Sequence, residues 1–168
     1  MTPRFCLRCG ERLSARREAG RTRYACRRCG WTYYGNPLPA SVAALVRGGR
    51  VLLSRRAGPP WAGTWDLPGG FIEAGESAEG ALRRELREEL GIRLGRARLL
   101  GSYADEYGRG GMPVLTIVYR ATPGRERMTV GDDVSDVRWF PLDAPPLRKI
   151  AFRSVRAALR DLRALRGR

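Results

Sequence analysis

The chain has 168 residues, with 32 Lys or Arg against 17 Asp or Glu, a formal charge of +15, four cysteines and no His. The missing imidazole excludes a Ser-His-Asp triad, a His proton shuttle and any His metal ligand, so hydrolytic chemistry must come from carboxylates, cysteines or metal ions. The length suits one medium domain with a small appendage, and no apolar run approaches the roughly 20 residues that span a bilayer, so no membrane partner is expected.

The excess charge lies at the ends. Residues 1–40 hold nine basic and two acidic side chains, residues 147–168 eight and one, and residues 41–146 fifteen and fourteen. Only one of the 32 basic residues is Lys, Lys149, which makes a GC-rich genome a competing cause of the arginines. Nucleic acid is therefore an open partner but not the favoured one. The opening MTPRFCLRCGERL has no apolar signal core, and the default expectation is a cytoplasmic location. In that reducing compartment, cysteines bind metal more often than they pair.

Cys6 and Cys9 form one Cys-x2-Cys pair, Cys26 and Cys29 a second, and each pair runs into Gly. Each short spacing lets one tight turn present two thiolates to an ion, and two turns complete a tetrahedral site. The pattern predicts a zinc ribbon over residues 1–38. Four protein ligands leave no open position, and about forty residues cannot bury enough apolar surface alone, so the zinc is expected to be structural.

Residues 39–168 read as the main domain. Ala40–Val46 and Val51–Ser54 flank Gly48-Gly49 and predict two strands joined by a tight turn. A loop over 57–66 holds Pro59, Pro60, Trp61 and Trp65, and Leu67-Pro68-Gly69-Gly70 follows. A helix is expected from Ser77, its N-cap, to Leu90, with Gly91 as the stop and Ala78, Leu82, Leu86 and Leu90 as its apolar line. On it, Glu85, Glu88 and Glu89 fall at i, i+3 and i+4, within about 100° of arc. Three like charges repel, and the last helical turn disfavours acids, so helix stability gains nothing from them. Bound Mg²⁺ or Mn²⁺ would relieve both costs, whereas interspersed Arg83, Arg84 and Arg87 would suit a plain solvated face.

Nine defined positions decide between these. Gly70, Glu76, Arg84, Glu85, Leu86, Glu88, Glu89, Gly91 and Ile92 match the Nudix box in type and spacing, and the chain from about residue 39 to 165 resembles the Nudix hydrolase family. The ribbon ahead of it is similar to the arrangement in the zinc-ribbon branch, which includes NADH, FAD and ADP-ribose pyrophosphatases. The resemblance implies an α/β/α sandwich with a mixed sheet, and hydrolysis of a nucleoside diphosphate linked to a second group. The products would be a nucleoside monophosphate and a phosphorylated remainder. It also implies that Glu85, Glu88, Glu89 and the Gly69 carbonyl hold Mg²⁺ or Mn²⁺, that Arg84 orients Glu85, and that Glu76 supports loop and helix. The proton acceptor stays open among Glu85, Glu89 and a later acid such as Asp133 or Asp136.

The substrate is less legible. The chain contains no Gln and so lacks the Ser-Gln-Pro-Trp-Pro-Phe-Pro stretch of NADH pyrophosphatases. The Pro that often marks ADP-ribose enzymes is replaced by Tyr107, while residues 147–154 resemble the tail of zinc-ribbon relatives acting on FAD or ADP-ribose. Arg55 and Arg56 are candidates to face phosphates, Tyr103, Tyr107, Tyr119 and Phe140 to stack a base, and Asp133 to contact substrate. Asp105, Glu106 and the glycines of 108–111 are expected to form a flexible connection. Phe152, Val155, Leu159 and Leu162 make the docking stripe of a final helix whose arginines are solvated. The alternative readings are a Nudix-like nucleotide sensor and a protein that binds or decaps capped RNA. A homodimer through sheet or ribbon is left open.

Overall fold

The computed structural model describes residues 2–108, 110–124 and 126–165, which fall into two units, Met1–Pro37 and Leu38–Arg168. In the first, strands β1 (Leu13–Glu18), β2 (Arg21–Cys26) and β3 (Thr32–Tyr33) form an antiparallel sheet in chain order. Two equivalent turns carry the cysteines. Gly10 N–H donates to the Cys6 carbonyl at 2.9 Å and Gly30 N–H to the Cys26 carbonyl at 3.0 Å. Cys6 N–H and Cys26 N–H reach the Glu11 and Trp31 carbonyls, each at 2.8 Å.

The second unit is a mixed sheet between two helices. Its strands are β4 (Leu38–Arg47), β5 (Arg50–Arg56), β6 (Trp65–Asp66), β7 (Gly69–Phe71), β8 (Leu94–Tyr107), β9 (Met112–Pro123) and β10 (Val134–Pro141). The order β10-β5-β4-β9-β8 has one parallel pairing, β4 with β9, while β6 adds to β5 and β7 to β4. The expected turn joins β4 to β5 through Gly48-Gly49, with Arg47 opposite Arg50. β8 runs through Asp105 and Glu106 to Tyr107, so these acids sit on the stretch from Gly101 onward that pairs residue for residue with β9. The expected flexible connection begins only after them, because alternating apolar residues on β9 give β8 a full-length partner.

Helix α1 (Ala78–Leu90) starts where Ser77 Oγ accepts the Gly80 N–H at 3.1 Å and ends at Gly91. Helix α2 (Arg153–Ala164) ends the described chain. Alternation along β4 divides the core: Ala43 and Leu45 face α1, while Val42 and Ala44 face α2. Leu82, Leu86 and Leu90 are fully buried on the first side, and Val155, Leu159 and Leu162 are buried on the second. Each buried aliphatic side chain contributes roughly 1.5–3 kcal/mol, so tertiary packing holds a 13-residue helix that would be marginal alone.

Asp105 adds a polar tie between sheet and α2. Its carboxylate accepts the Ser154 N–H at 2.7 Å, capping the helix from a neighbouring strand.

Candidate active site

The end of α1, the β6–β7 segment and the start of α2 enclose a cavity of about 410 Å³. Glu85, Glu89 and Gly69 line it together with Asp66 and Asp133. Glu89 Oε2 accepts the Gly69 N–H at 3.0 Å, joining the helix to the loop 20 residues earlier. This approach requires Gly at 69: φ is +132°, and a Cβ there would overlap the Ser41 carbonyl oxygen and come within 2.7 Å of Val42 Cα.

Arg84 organises the outer wall. Its Nε and Nη2 donate to the two oxygens of Glu76 at 2.8 and 2.9 Å, and Nη1 donates to Glu85 at 2.7 Å and Glu88 at 3.1 Å. Nη2 also reaches the Phe71 carbonyl at 3.1 Å, so one guanidinium ties helix, loop and strand. The Arg84 contact and the Glu73 N–H together hold the Glu76 carboxyl down to about 2. Glu88 lies outside the cavity lining, 58% exposed and paired with Arg84.

Glu89 differs. Burial pushes its carboxyl up to about 8, and Glu85, Asp66 and Asp133 add like-charge repulsion. Asp66 is likewise pushed up to about 7 by burial, despite its 3.4 Å pair with Arg56. Such a crowd of hard oxygen donors, with more negative charge than its cations balance, suits a divalent ion such as Mg²⁺ or Mn²⁺.

Aromatic residues line the same cavity. Tyr107 and Phe152 lie parallel, 10° apart in plane with centroids at 6.0 Å, and Phe71 meets Tyr107 edge-on at 5.2 Å. The Arg56 guanidinium lies over both stacked rings, 5.8 and 5.5 Å from their centroids, and donates to the Tyr107 hydroxyl at 3.3 Å. Trp61, 41% exposed, packs edge-on against Phe152 at 5.0 Å, beside a smaller recess.

The other sequence candidates lie elsewhere. Arg55 is outside the cavity lining, donating to the Gly63 carbonyl at 2.9 Å, because the pleat of β5 sends Ser54 and Arg56 inward and Arg55 out. Tyr103 donates its hydroxyl to Asp161 at 2.7 Å and packs against the core beneath α2. Phe140 packs edge-on against Trp65 at 4.9 Å, and Tyr119 belongs to the core beneath α1. Sequence reasoning missed Asp66, Phe71 and Phe152 as cavity residues. Extending the β5 alternation across the Asp66–Ser54 pairing would have found Asp66. For Phe152 the sequence offers only the family-like stretch 147–154 and the stripe of the final helix, and the fold brings it into the cavity from the far end of the chain.

In the first unit, Cys6, Cys9, Cys26 and Cys29 place their sulfurs within 4.8 Å of one another. The Cys6–Cys29, Cys9–Cys26 and Cys9–Cys29 separations are 3.6, 3.5 and 3.5 Å. A disulfide needs about 2.05 Å, whereas zinc at about 2.3 Å from four sulfurs sets them roughly 3.8 Å apart. The spacing is compatible with a four-sulfur metal site and not with disulfides. Among the described residues, no group of Asp and Glu ligand atoms converges as closely.

The NUDIX domain model matches residues 37–161. An NAD-capped RNA hydrolase NudC from Pseudomonas aeruginosa is 35% identical over 162 residues, 95% of this chain and 55% of the relative, so the chain spans about half that protein's length. An ADP-ribose pyrophosphatase from Methanocaldococcus jannaschii is 35% identical over 121 residues, 71% of this chain and 69% of the relative. A crystal structure of a MutT Nudix hydrolase from Burkholderia pseudomallei superposes with a TM-score of 0.69 at 37% identity, over 75% of this chain and 98% of that one.

Proposed function

The chain belongs to the Nudix family, and from that premise we propose that it is a pyrophosphohydrolase that cleaves the diphosphate of an NAD(H)-, ADP-ribose- or FAD-like nucleotide. Water attacks one phosphorus, the bridging P–O bond breaks, and a nucleoside monophosphate and a phosphorylated remainder leave. The observation that carries this reading is that one cavity is lined both by Glu85, Glu89 and Gly69 and by the paired rings of Tyr107 and Phe152. The first set suits a cation-bridged diphosphate and the second a flat ring system.

Glu85, Glu89 and Gly69 would hold Mg²⁺ or Mn²⁺, with Glu88 joining by release from Arg84. Such an ion, when bound, neutralises the diphosphate and lowers the pKa of attacking water. Arg84 holds Glu85 in place, and Glu76 holds Arg84. Asp66 joins Glu85, Glu89 and Asp133 as a candidate proton acceptor. Arg56, over the aromatic wall and facing the cavity, supplies positive charge toward phosphate.

The first unit is read as a structural zinc ribbon over residues 1–38 and the remainder as the hydrolase domain. Protein prepared without added metal is expected to carry one zinc per chain. Cysteines spaced for metal rather than for disulfides favour a cytoplasmic location.

The test is turnover of NAD(H), ADP-ribose, FAD, dinucleoside polyphosphates, nucleoside triphosphates and NAD-capped RNA with Mg²⁺ or Mn²⁺, ranked by kcat/KM. Metal-dependent release of a nucleoside monophosphate from one of the first three, abolished by chelation, is expected. Binding without turnover would make the chain a sensor instead.

A further inference from the structure

We propose that the sheet of the first unit is a binding face for single-stranded nucleic acid, centred on Arg16, Arg23 and Tyr34. In an antiparallel ladder, directly paired residues project from the same face, and Arg16 pairs with Arg23. Like charges set opposite each other destabilise a sheet; Arg23 also donates to the Tyr34 carbonyl, which explains one arginine of the pair but not the second placed directly across from it. Glu18 accepts from Arg16 at 2.8 Å, but Arg21 stands opposite Glu18 on the same face and restores the excess of cations.

An aromatic ring lies beside them. The Arg23 guanidinium sits over Tyr34, 5.1 Å from the ring centroid, and Tyr34 is 49% exposed. Ser14, Ala25 and Thr32 pair across the same face with small side chains, Ala25 being buried. Cations beside an exposed ring hold phosphate and stacked base together, which selects a strand with free base faces over a duplex.

Two other sources of the basic charge do not account for it. A genomic bias toward Arg acts along the whole chain, but residues 41–146 balance fifteen Arg against fourteen acids, whereas the first 37 set nine Arg against two Glu, and a choice of Arg over Lys does not create that local excess. Thiolate charge accounts for Arg8, Arg27 and Arg28, which flank the cysteines and enter no part of the argument. Arg16 and Arg23 lie three ladder positions beyond Cys26, about 10 Å away, near the screening length at moderate salt.

Fluorescence anisotropy of the zinc-loaded full chain with labelled oligouridylate and oligothymidylate of about 12 nucleotides tests this. Binding to either is expected to weaken at least about tenfold between roughly 50 and 200 mM salt, and tighter binding to one names the polymer. The Arg16→Ala/Arg23→Ala double variant should bind about tenfold more weakly with a shallower salt slope. Tyr34→Leu should weaken binding about fivefold and leave the slope unchanged. Zinc content and hydrolysis of the preferred nucleotide should stay at wild-type levels in both variants, so a failed ribbon fold and a failed hydrolase reading are each distinguishable from a failed binding face. Absence of binding, flat salt dependence, or variants that bind like wild type would overturn the proposal. So would concentration-dependent self-association, abolished by the same substitutions, without oligonucleotide binding.

Discussion

The Glu89 carboxylate accepts the backbone N–H of Gly69 at 3.0 Å, so the acidic end of α1 is fixed to the loop that shapes the cavity floor. Gly69→Ala attacks this contact from the loop side. With φ at +132° and the Ser41 carbonyl in the way, the substitution should destabilise the second unit by about 2–4 kcal/mol. Thermal melts would show it, and an unchanged Tm would mean the loop has another packing.

The raised Glu89 carboxyl gives a pH signature. Below about 4.5, Glu89 is protonated in both folded and unfolded chains. Between about 4.5 and 8, the unfolded chain releases the proton while the fold retains it, so stability falls as pH rises, by up to roughly 5 kcal/mol without divalent metal. Asp66 adds to this in the same direction over an overlapping range, from 3.8 to about 7. Glu89→Gln should therefore raise the Tm of metal-free protein at pH 8 and leave it unchanged near pH 4, and Mg²⁺ should raise the wild-type Tm at pH 8. Turnover by the same variant should fall at least about a hundredfold. Scanning calorimetry across pH, with and without metal, checks the first part, and kcat the second.

Arg84 satisfies Glu76 with two parallel bonds and Glu85 with a third, a geometry that a point-charge ammonium cannot reproduce. Arg84→Lys should lower kcat about ten- to a hundredfold with a smaller effect on KM. Glu76→Gln, which keeps the shape but removes the charge, should cost less. Steady-state kinetics would decide, and a pure KM effect in Arg84→Lys would place the residue in substrate binding instead.

The aromatic wall predicts the opposite division. Phe152→Ala or Tyr107→Ala should raise KM for a ring-bearing nucleotide about tenfold and leave kcat within a few-fold of wild type. Arg55→Ala, outside the cavity, should change neither.

Much of this was written in local chemistry. The Ser77 cap, the Gly91 stop and the leucine line of α1 were readable because each depends on residues within a turn or two. The paired Cys-x2-Cys turns were readable for the same reason. The aromatic wall was not, because Phe71, Tyr107 and Phe152 meet only after β7, β8 and α2 have assembled. Choosing Arg56 over Arg55 needed the pleat of β5 to be set by its neighbours, and the full length of β8 needed β9 beside it. Tyr103 and Phe140 have the right chemistry for stacking, but their strands point them into the core.

The cap that Asp105 places on α2 links ligand access to helix fraying. Phe152 precedes the first residue of α2, and the Ser154 amide two positions on is held by the strand carboxylate. Unwinding that first turn would release the Phe152 ring from Tyr107 and widen the cavity. The exchange rate of the Ser154 amide proton with solvent therefore reports how often the ring wall opens, and a nucleotide bound against Phe152 should slow it.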